Sequence, residues 1–300
     1  MTNAVMTSHG QCVRTITFRD AFPKTGSVDT PDIRISYRDY GGRGTPIVLL
    51  HGLASSSHIW NNVGRELART HRVIALDQRG HGRSGKPDYG YDFASVTKDV
   101  AIVVDALGLG RPIVVGHSWG AHVALELAAR RPEYVSGAVL VDGGLHSFGE
   151  RPWKEIEQEL TPPDLSHYTL PGLIDQVQEW GWGQFWNCEV EATLLSLFHV
   201  GPDGRVRPRL TRANHMQIVR AIWEQRLEQL YPAVESAVLI LPASEVALAE
   251  TPEEKRTQVR QAASLLPDAR VRWFEHTSHD VPLERPTELA ETIATFAAET

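Results

Sequence analysis

Short apolar runs alternate with longer amphipathic stretches along most of this chain. The run 33–40 ("IRISYRDY") alternates apolar and polar residues, as in a strand with one solvent-exposed face. Continuous apolar runs are typical of strands that are covered on both faces of a parallel sheet, and they occur at 46–52, 72–77, 112–116, 136–142 and 237–242. Helical periodicity occurs at 56–68, 93–107, 119–131, 252–266 and 286–298. This alternation predicts an α/β fold with a mostly parallel sheet and right-handed crossovers.

The alternation is interrupted after the sixth strand-like run, 136–142. Residues 145–230 contain no comparable apolar strand and are rich in Trp, Pro and charge, with a turn predicted at Asp203-Gly204. An insertion at the carboxyl ends of the strands would cover the place where open α/β sheets bind ligands. We therefore expect a core formed by residues 1–144 and 231–300, with a mainly helical lid at 145–230. The alternative is a separate small domain with no role in the site.

The stretch "GHSWG" at 116–120 places Ser118 between two glycines where a predicted strand meets a predicted helix. It fits the pattern G-x-S-x-G, in which a tight turn holds a serine in a strained conformation and exposes its hydroxyl. The following helix N-terminus would also point unpaired N–H groups at a developing anion. The pattern alone is weak, and the alternative is an ordinary polar residue, but this context favours Ser118 as a nucleophile.

A serine hydroxyl attacks only when a base removes its proton. His279 follows the strand-like run 271–274 and precedes the last predicted helix, whereas its competitor His276 adjoins the strand end. We therefore predict His279 as the base. The loop 51–57 ("HGLASSS") contains a small glycine, so we expect the backbone N–H groups of Leu53 and Trp119 to form an oxyanion hole.

Four motifs in this order and spacing resemble those of α/β-hydrolase fold enzymes, over nearly the whole chain: "HG" at 51–52, "DQRGHGRS" at 77–84, "GHSWG" at 116–120 and "HDVPLERP" at 279–286. The resemblance implies an eight-stranded sheet, with Ser118 as nucleophile and His279 as base. It also implies that Asp77, Arg79 and His81 shape a loop rather than take part in catalysis.

The third member of a catalytic triad is a buried carboxylate that orients the histidine. In the commonest arrangement of the family it follows the seventh strand, three residues after a glycine, but here Pro242 replaces that glycine and Glu245 occupies the position. A second arrangement, found in haloalkane dehalogenases, places the acid after the sixth strand, where this chain has Asp142. The apolar run before Asp142 indicates partial burial, so we favour Asp142 and keep Glu245 as the runner-up.

Composition narrows the partners and the compartment. The net charge of −7 without a Lys/Arg cluster argues against nucleic acid or an anionic membrane surface as a partner. No apolar run has the ~20 residues of a membrane span, and the first residues lack the features of a signal peptide, so a cytoplasmic protein is expected. Cys12 and Cys188 have no metal-ligand spacing, which predicts neither a disulfide framework nor a structural zinc site. Nothing implies a metal or an organic cofactor, and the oligomeric state is open.

The choice of serine limits the chemistry. Serine attack on an alkyl halide would give an ether without a carbonyl, so reaction at a carbonyl carbon is expected. The leading prediction is a cofactor-free carboxylic ester or lactone hydrolase that acts on a moderately hydrophobic small molecule through an acyl-enzyme on Ser118. Alternatives are a C–C bond hydrolase, a perhydrolase or non-haem haloperoxidase type, an acyltransferase, or a non-catalytic ligand-binding protein. Residues predicted to line the pocket, although each aromatic side chain could instead serve packing, are Trp60, His117, Trp182 and Trp186.

Overall fold

The computed structural model describes residues 4–6, 12–14, 23–244 and 253–300. Its strands are β1 (Ala4–Met6), β2 (Cys12–Arg14), β3 (Lys24–Asp29), β4 (Arg34–Gly41), β5 (Pro46–Leu50), β6 (Arg72–Leu76), β7 (Ile113–His117), β8 (Gly137–Val141), β9 (Phe198–Val200), β10 (Val206–Pro208), β11 (Ala237–Leu241) and β12 (Ala269–Val271). Its α-helices are α1 (Asn61–Leu67), α2 (Phe93–Ala106), α3 (Trp119–Arg130), α4 (Trp153–Leu160), α5 (Leu170–Glu179), α6 (Cys188–Ser196), α7 (Arg212–Glu224), α8 (Leu227–Leu230), α9 (Glu253–Leu265), α10 (Val281–Glu284) and α11 (Pro286–Glu299). Short 3₁₀ helices span Ser57–Trp60, Pro132–Tyr134, Trp182–Phe185 and Tyr231–Ala233.

Eight strands form the central sheet, in the order β12-β11-β8-β7-β5-β6-β4-β3. Pairing is parallel from β12 to β6, and β4 pairs antiparallel with both β6 and β3. The predicted eight-stranded, mostly parallel sheet is therefore confirmed.

The central strands are continuously apolar because both faces of the sheet are covered. In β5, Val48 and Leu50 belong to the cluster on the side of α2 and α3, whereas Ile47 and Leu49 belong to the cluster on the side of α1 and α11. All four side chains are fully buried. Alternate residues of a strand point to opposite faces, so two apolar layers require an unbroken apolar run.

The edge strand β3 was not predicted, and β12 begins before the predicted run 271–274. Most β3 residues are exposed, and its sequence "KTGSVD" is largely polar. An exposed edge strand needs no apolar layer on either side, so it leaves no periodic signal. Sheet pairing with β4 forms it instead.

The chain between β8 and β11 is mainly helical, as expected for residues 145–230, but it also contains the hairpin β9–β10. The turn predicted at Asp203-Gly204 is present, because the Gly204 N–H donates to the Gly201 carbonyl at 2.9 Å. A separate apolar cluster holds this segment together: Leu173, Val177, Leu194, Phe198 and Val206.

Cys188 is disulfide-bonded, although the sequence predicted no disulfide framework. Within the described ranges, no helix is both long enough and apolar enough to cross a membrane.

Candidate active site

Ser118 lies in a sharp turn between β7 and α3. Its backbone has φ 53° and ψ −120°, a left-handed conformation that an L-residue adopts only under strain. The Ser118 N–H donates to the Val141 carbonyl at 2.9 Å, and the Ser118 carbonyl accepts from the Ala121 N–H at 2.9 Å. These bonds hold the turn, and the Ser118 side chain remains partly exposed.

Small residues around the turn are required by close backbone approach. A Cβ atom on Gly116 would lie 2.0 Å from the Gly120 carbonyl oxygen, and one on Gly143 would lie 2.2 Å from the Ser118 carbonyl oxygen. A Cβ atom on Gly120 would lie 2.3 Å from the Leu50 carbonyl oxygen. This close approach explains why the chain has glycine at positions 116 and 120, on either side of Ser118.

We expect Gly120→Ala to lower the free energy of unfolding by about 2–3 kcal/mol, because backbone of the central strand β5 must move to admit the methyl group. Urea unfolding followed by circular dichroism measures this. Gly172→Ala in α5 is the matched control, since the nearest atom to its added Cβ is 3.4 Å away. Equal loss of stability in both variants would contradict the close-approach argument.

The structure brings Asp142 and His279 together. Asp142 directly follows β8, with φ 44°, and its N–H donates to the Leu241 carbonyl of β11 at 2.9 Å. The Nδ1 atom of His279 lies 2.6 Å from Oδ2 of Asp142. The Asp142 side chain is 5% exposed and that of His279 is 46% exposed, so a buried carboxylate orients an accessible imidazole. This is the geometry of an acid–base pair.

The other oxygen of Asp142 also has partners. Oδ1 accepts the N–H of Ala243 at 2.9 Å and lies 2.7 Å from Nζ of Lys255 in α9. Lys255 was not predicted as a site residue. It is distant in sequence from every motif, and no local pattern distinguishes it from other helical lysines.

These contacts shift the ionisation of both groups. Burial would raise the pKa of Asp142, but the hydrogen bond and charge of His279, together with Lys255, outweigh it and lower that pKa below its usual range. Desolvation would lower the pKa of His279, but the hydrogen bond and charge of Asp142 outweigh it and raise that pKa above its usual value. Asp142 is therefore a carboxylate that stabilises the imidazolium form of His279.

His117 connects the His279 loop to the turn that carries Ser118. Its Nε2 lies 2.8 Å from the His279 carbonyl oxygen, and the two imidazole rings are 4.8 Å apart between centroids. Since Ser118 follows His117 directly, this contact ties the loop of His279 to the turn of Ser118. No hydrogen bond joins Ser118 to the His279 ring within the described residues. Such bonds often form only when substrate binds.

The two predicted oxyanion donors lie on loops around Ser118. Gly52 approaches so closely that a Cβ atom there would be 3.0 Å from Cβ of Ser118, and Leu53 follows it. Trp119 opens α3. In the described parts of the chain, neither the Leu53 N–H nor the Trp119 N–H donates a hydrogen bond, so both remain available to an anion.

The loop 77–84 supports the Leu53 loop, and its polar residues have structural contacts. Asp77 accepts the N–H groups of Ser57 and Arg83, each at 2.8 Å. Nε2 of His81 accepts the Ala54 N–H at 3.1 Å. Arg79 makes two hydrogen bonds to Asp99, at 2.8 and 3.0 Å. These contacts are those of loop-shaping residues, as predicted.

Two of the predicted pocket residues are buried instead. Trp60 has no exposed surface and packs in the apolar cluster beneath the site, with its ring 6.5 Å from that of His117. His117 is 3% exposed, and burial lowers its pKa to about 4, so it is a neutral residue that contacts the His279 loop. The pocket predictions for Trp60 and His117 are therefore wrong. The Trp119 ring is likewise buried, stacked on His81 at 5.3 Å.

Trp182 and Trp186 are half-buried between the inserted segment and the core, because both contact the apolar clusters on either side. Nε1 of Trp182 donates to Oδ2 of Asp280 at 2.8 Å. Asp280 follows His279 directly, so the insertion contacts the loop that carries the imidazole. Glu245, the runner-up acid, lies outside the described residues. In the described portion of the chain, no cluster of three His, Cys, Asp or Glu side chains could hold a metal ion.

Comparison with known proteins agrees with this architecture. The family model described as "alpha/beta hydrolase fold" matches residues 45–174. The chain is 38% identical over 120 residues to a haloalkane dehalogenase of Mesorhizobium japonicum, which is 40% of this chain and 39% of that protein. It is 42% identical over 120 residues to a non-heme chloroperoxidase of Streptomyces lividans, 39% of this chain and 44% of that protein. These matches span less than half of the length of either curated relative.

The similarity to solved structures extends over nearly the whole chain. The crystal structure of E-2-(acetamidomethylene)succinate hydrolase superposes with a TM-score of 0.75 at 25% sequence identity, covering 91% of this chain and 98% of that chain. By its fold, its matched segment and its relatives, the chain belongs to the α/β-hydrolase superfamily.

Proposed function

We propose that this protein is a cofactor-free serine hydrolase that cleaves a carboxylic ester or lactone through an acyl-enzyme on Ser118. The observation that carries the proposal is the convergence of two strand ends with the loop between β12 and α10. Ser118 follows β7 in a strained turn, Asp142 follows β8, and His279 is bonded to Asp142 at 2.6 Å. A partly exposed serine and an oriented imidazole, on segments that His117 connects, supply the two groups required for nucleophilic attack on a carbonyl.

The proposed steps follow from the site residues. The Nε2 atom of His279 removes the hydroxyl proton as Oγ of Ser118 attacks the carbonyl carbon. The resulting oxyanion accepts hydrogen bonds from the Leu53 and Trp119 N–H groups, each worth about 3 kcal/mol in such sites. His279 then protonates the leaving oxygen, and water repeats the sequence to release the acid. Asp142 remains ionised throughout, since its pKa is lowered.

Serine chemistry distinguishes this proposal from the dehalogenation named for one relative. Halide displacement by Ser118 would leave an alkyl ether, which has no carbonyl for water to attack, so turnover would stop. An acyl ester on Ser118 keeps its carbonyl, so water activated by the same histidine can attack it and release the acid and the free Ser118 hydroxyl. Dehalogenation is therefore not proposed, despite the identity to a haloalkane dehalogenase over 120 residues.

We propose that residues 145–230 act as a lid over the site and that Trp182 and Trp186 contribute to an apolar pocket. Their position between the lid cluster and the core supports this role, as does the bond between Trp182 and Asp280. An aromatic wall favours an uncharged, moderately hydrophobic small molecule.

A panel of 4-nitrophenyl esters of graded acyl length, together with lactones of several ring sizes, tests the proposed function. We expect turnover that depends on acyl length and is lost on covalent modification of Ser118. Absence of activity across the panel, from a folded protein, would contradict it. Peracid formation from acetate and peroxide, or cleavage of a dienone acid, without ester turnover would favour the perhydrolase or C–C hydrolase alternative.

A further inference from the structure

The carboxylate of Asp142 divides its two oxygens between different partners. Oδ2 receives His279, whereas Oδ1 receives the Ala243 N–H and the ammonium group of Lys255 at 2.7 Å. Each oxygen is therefore fixed in position, and rotation of the carboxylate would disturb all three contacts. Lys255 reaches this group from α9, which contributes no residue to the proposed triad.

The ion pair between Asp142 and Lys255 is more buried than the ion pairs on the protein surface. Exposed pairs contribute little, because water screens them and their side chains are mobile. Here the Asp142 side chain is 5% exposed and that of Lys255 is 27% exposed. Removing one partner of such a pair leaves a poorly solvated charge on the other.

The positive charge of Lys255 affects the protonation of His279 through Asp142, which contacts both residues. With Lys255 present, the carboxylate of Asp142 is neutralised by an ammonium group when His279 is uncharged. Without Lys255, the lone carboxylate would attract a proton to His279 more strongly. The Lys255 charge thus opposes protonation of His279 and lowers its pKa, against the effect of Asp142.

We propose that Lys255 is a positioning residue that orients the Asp142 carboxylate toward His279 and extends, toward lower pH, the range in which His279 is uncharged and so able to accept a proton. The proposal rests on the proposed roles of Ser118 and His279. Lys255, and with it helix α9, then helps to set the pH range over which the enzyme is active.

Other charged and titratable groups near His279 do not replace Lys255. Asp280, on the same loop, acts in the opposite direction and raises the His279 pKa. Burial lowers the pKa of His117 to about 4, so this neighbour at the end of β7 is uncharged at neutral pH. Glu284 in α10 accepts the Ser278 N–H at 2.8 Å and so bonds to the backbone of this loop rather than to the His279 ring.

The test measures the rate at which a fluorophosphonate probe labels Ser118 as a function of pH. We expect Lys255→Met to move the acid-side midpoint of this profile up by about one pH unit. At pH values below the midpoints of both proteins, Lys255→Met should then be labelled about tenfold more slowly than the wild type. Lys255→Arg, which retains the charge, should restore the midpoint. Arg260→Met removes a charge from an exposed position of the same helix and should leave it unchanged.

Each outcome separates the two proposals. Labelling that is absent from the folded wild type at every pH would contradict the proposed function. Labelling with the wild-type midpoint in Lys255→Met, or an equal shift in Arg260→Met, would overturn the role of Lys255. Lys255→Gln provides a second uncharged side chain, so the midpoint can be measured if the Met variant does not fold.

Discussion

Ser118→Ala is expected to lower kcat by a factor of about 10⁵–10⁶, with the fold unchanged. The alanine methyl group occupies the place of the serine Cβ, and its backbone conformation is as strained as that of serine at φ 53°. The substitution therefore removes the attacking oxygen without a new collision. Initial rates on the most reactive ester of the panel, with circular dichroism as the folding check, measure the effect.

Ser264→Ala is the matched control, because Ser264 is exposed in α9 and, among the described residues, its hydroxyl bonds only to the Gln261 carbonyl. It should retain full activity. A Ser118→Ala protein with a rate near that of the wild type would mean that another residue attacks the substrate, or that water attacks directly.

Asp142→Asn is expected to lower kcat about 10⁴-fold. Oδ1 of Asp142 accepts from Ala243 and contacts Lys255, both of which are donors. An asparagine would therefore keep its oxygen at Oδ1 and present its NH₂ group to His279. Nδ1 of His279 would then have to accept a hydrogen bond from that NH₂ group, so the ring proton would lie on Nε2. A protonated Nε2 cannot take the proton of Ser118.

Glu245→Gln is the matched control for this substitution, since Glu245 is the other acid that the sequence offers. It should leave kcat close to the wild-type value, because Asp142 already occupies the place of the acid beside His279. A large loss in Glu245→Gln together with a small loss in Asp142→Asn would reverse the assignment of the acid. Both variants should be compared at several pH values, because the pKa of His279 is raised by Asp142.

The sequence predicted much of the fold because the central strands are covered on both faces. Two apolar layers require an unbroken apolar run, as in β5, and such runs are recognisable without a structure. The pairing of Asp142 with His279 was predicted for a related reason, since parallel strands end at one edge of the sheet. Polar residues after β8 and before α10 therefore meet there.

The features that the sequence did not predict depend on tertiary contacts, which leave no local sequence pattern. Lys255 resembles any helical lysine in the sequence, and only the packing of α9 against the sheet brings it to Asp142. Trp60 was assigned to the pocket by residue type, but side-chain direction decides between a pocket wall and the core, and this ring points into the core. The exposed strand β3 lacked the apolar period that predicts a strand.

The central claim is that Ser118 is the nucleophile of a carbonyl-directed hydrolase. Peptide mapping by mass spectrometry after reaction with a fluorophosphonate probe tests it most directly. We predict one adduct per chain, on the peptide that contains Ser118, and its loss in His279→Ala, which removes the base. An adduct on a different residue of the folded protein, or none, would contradict the claim.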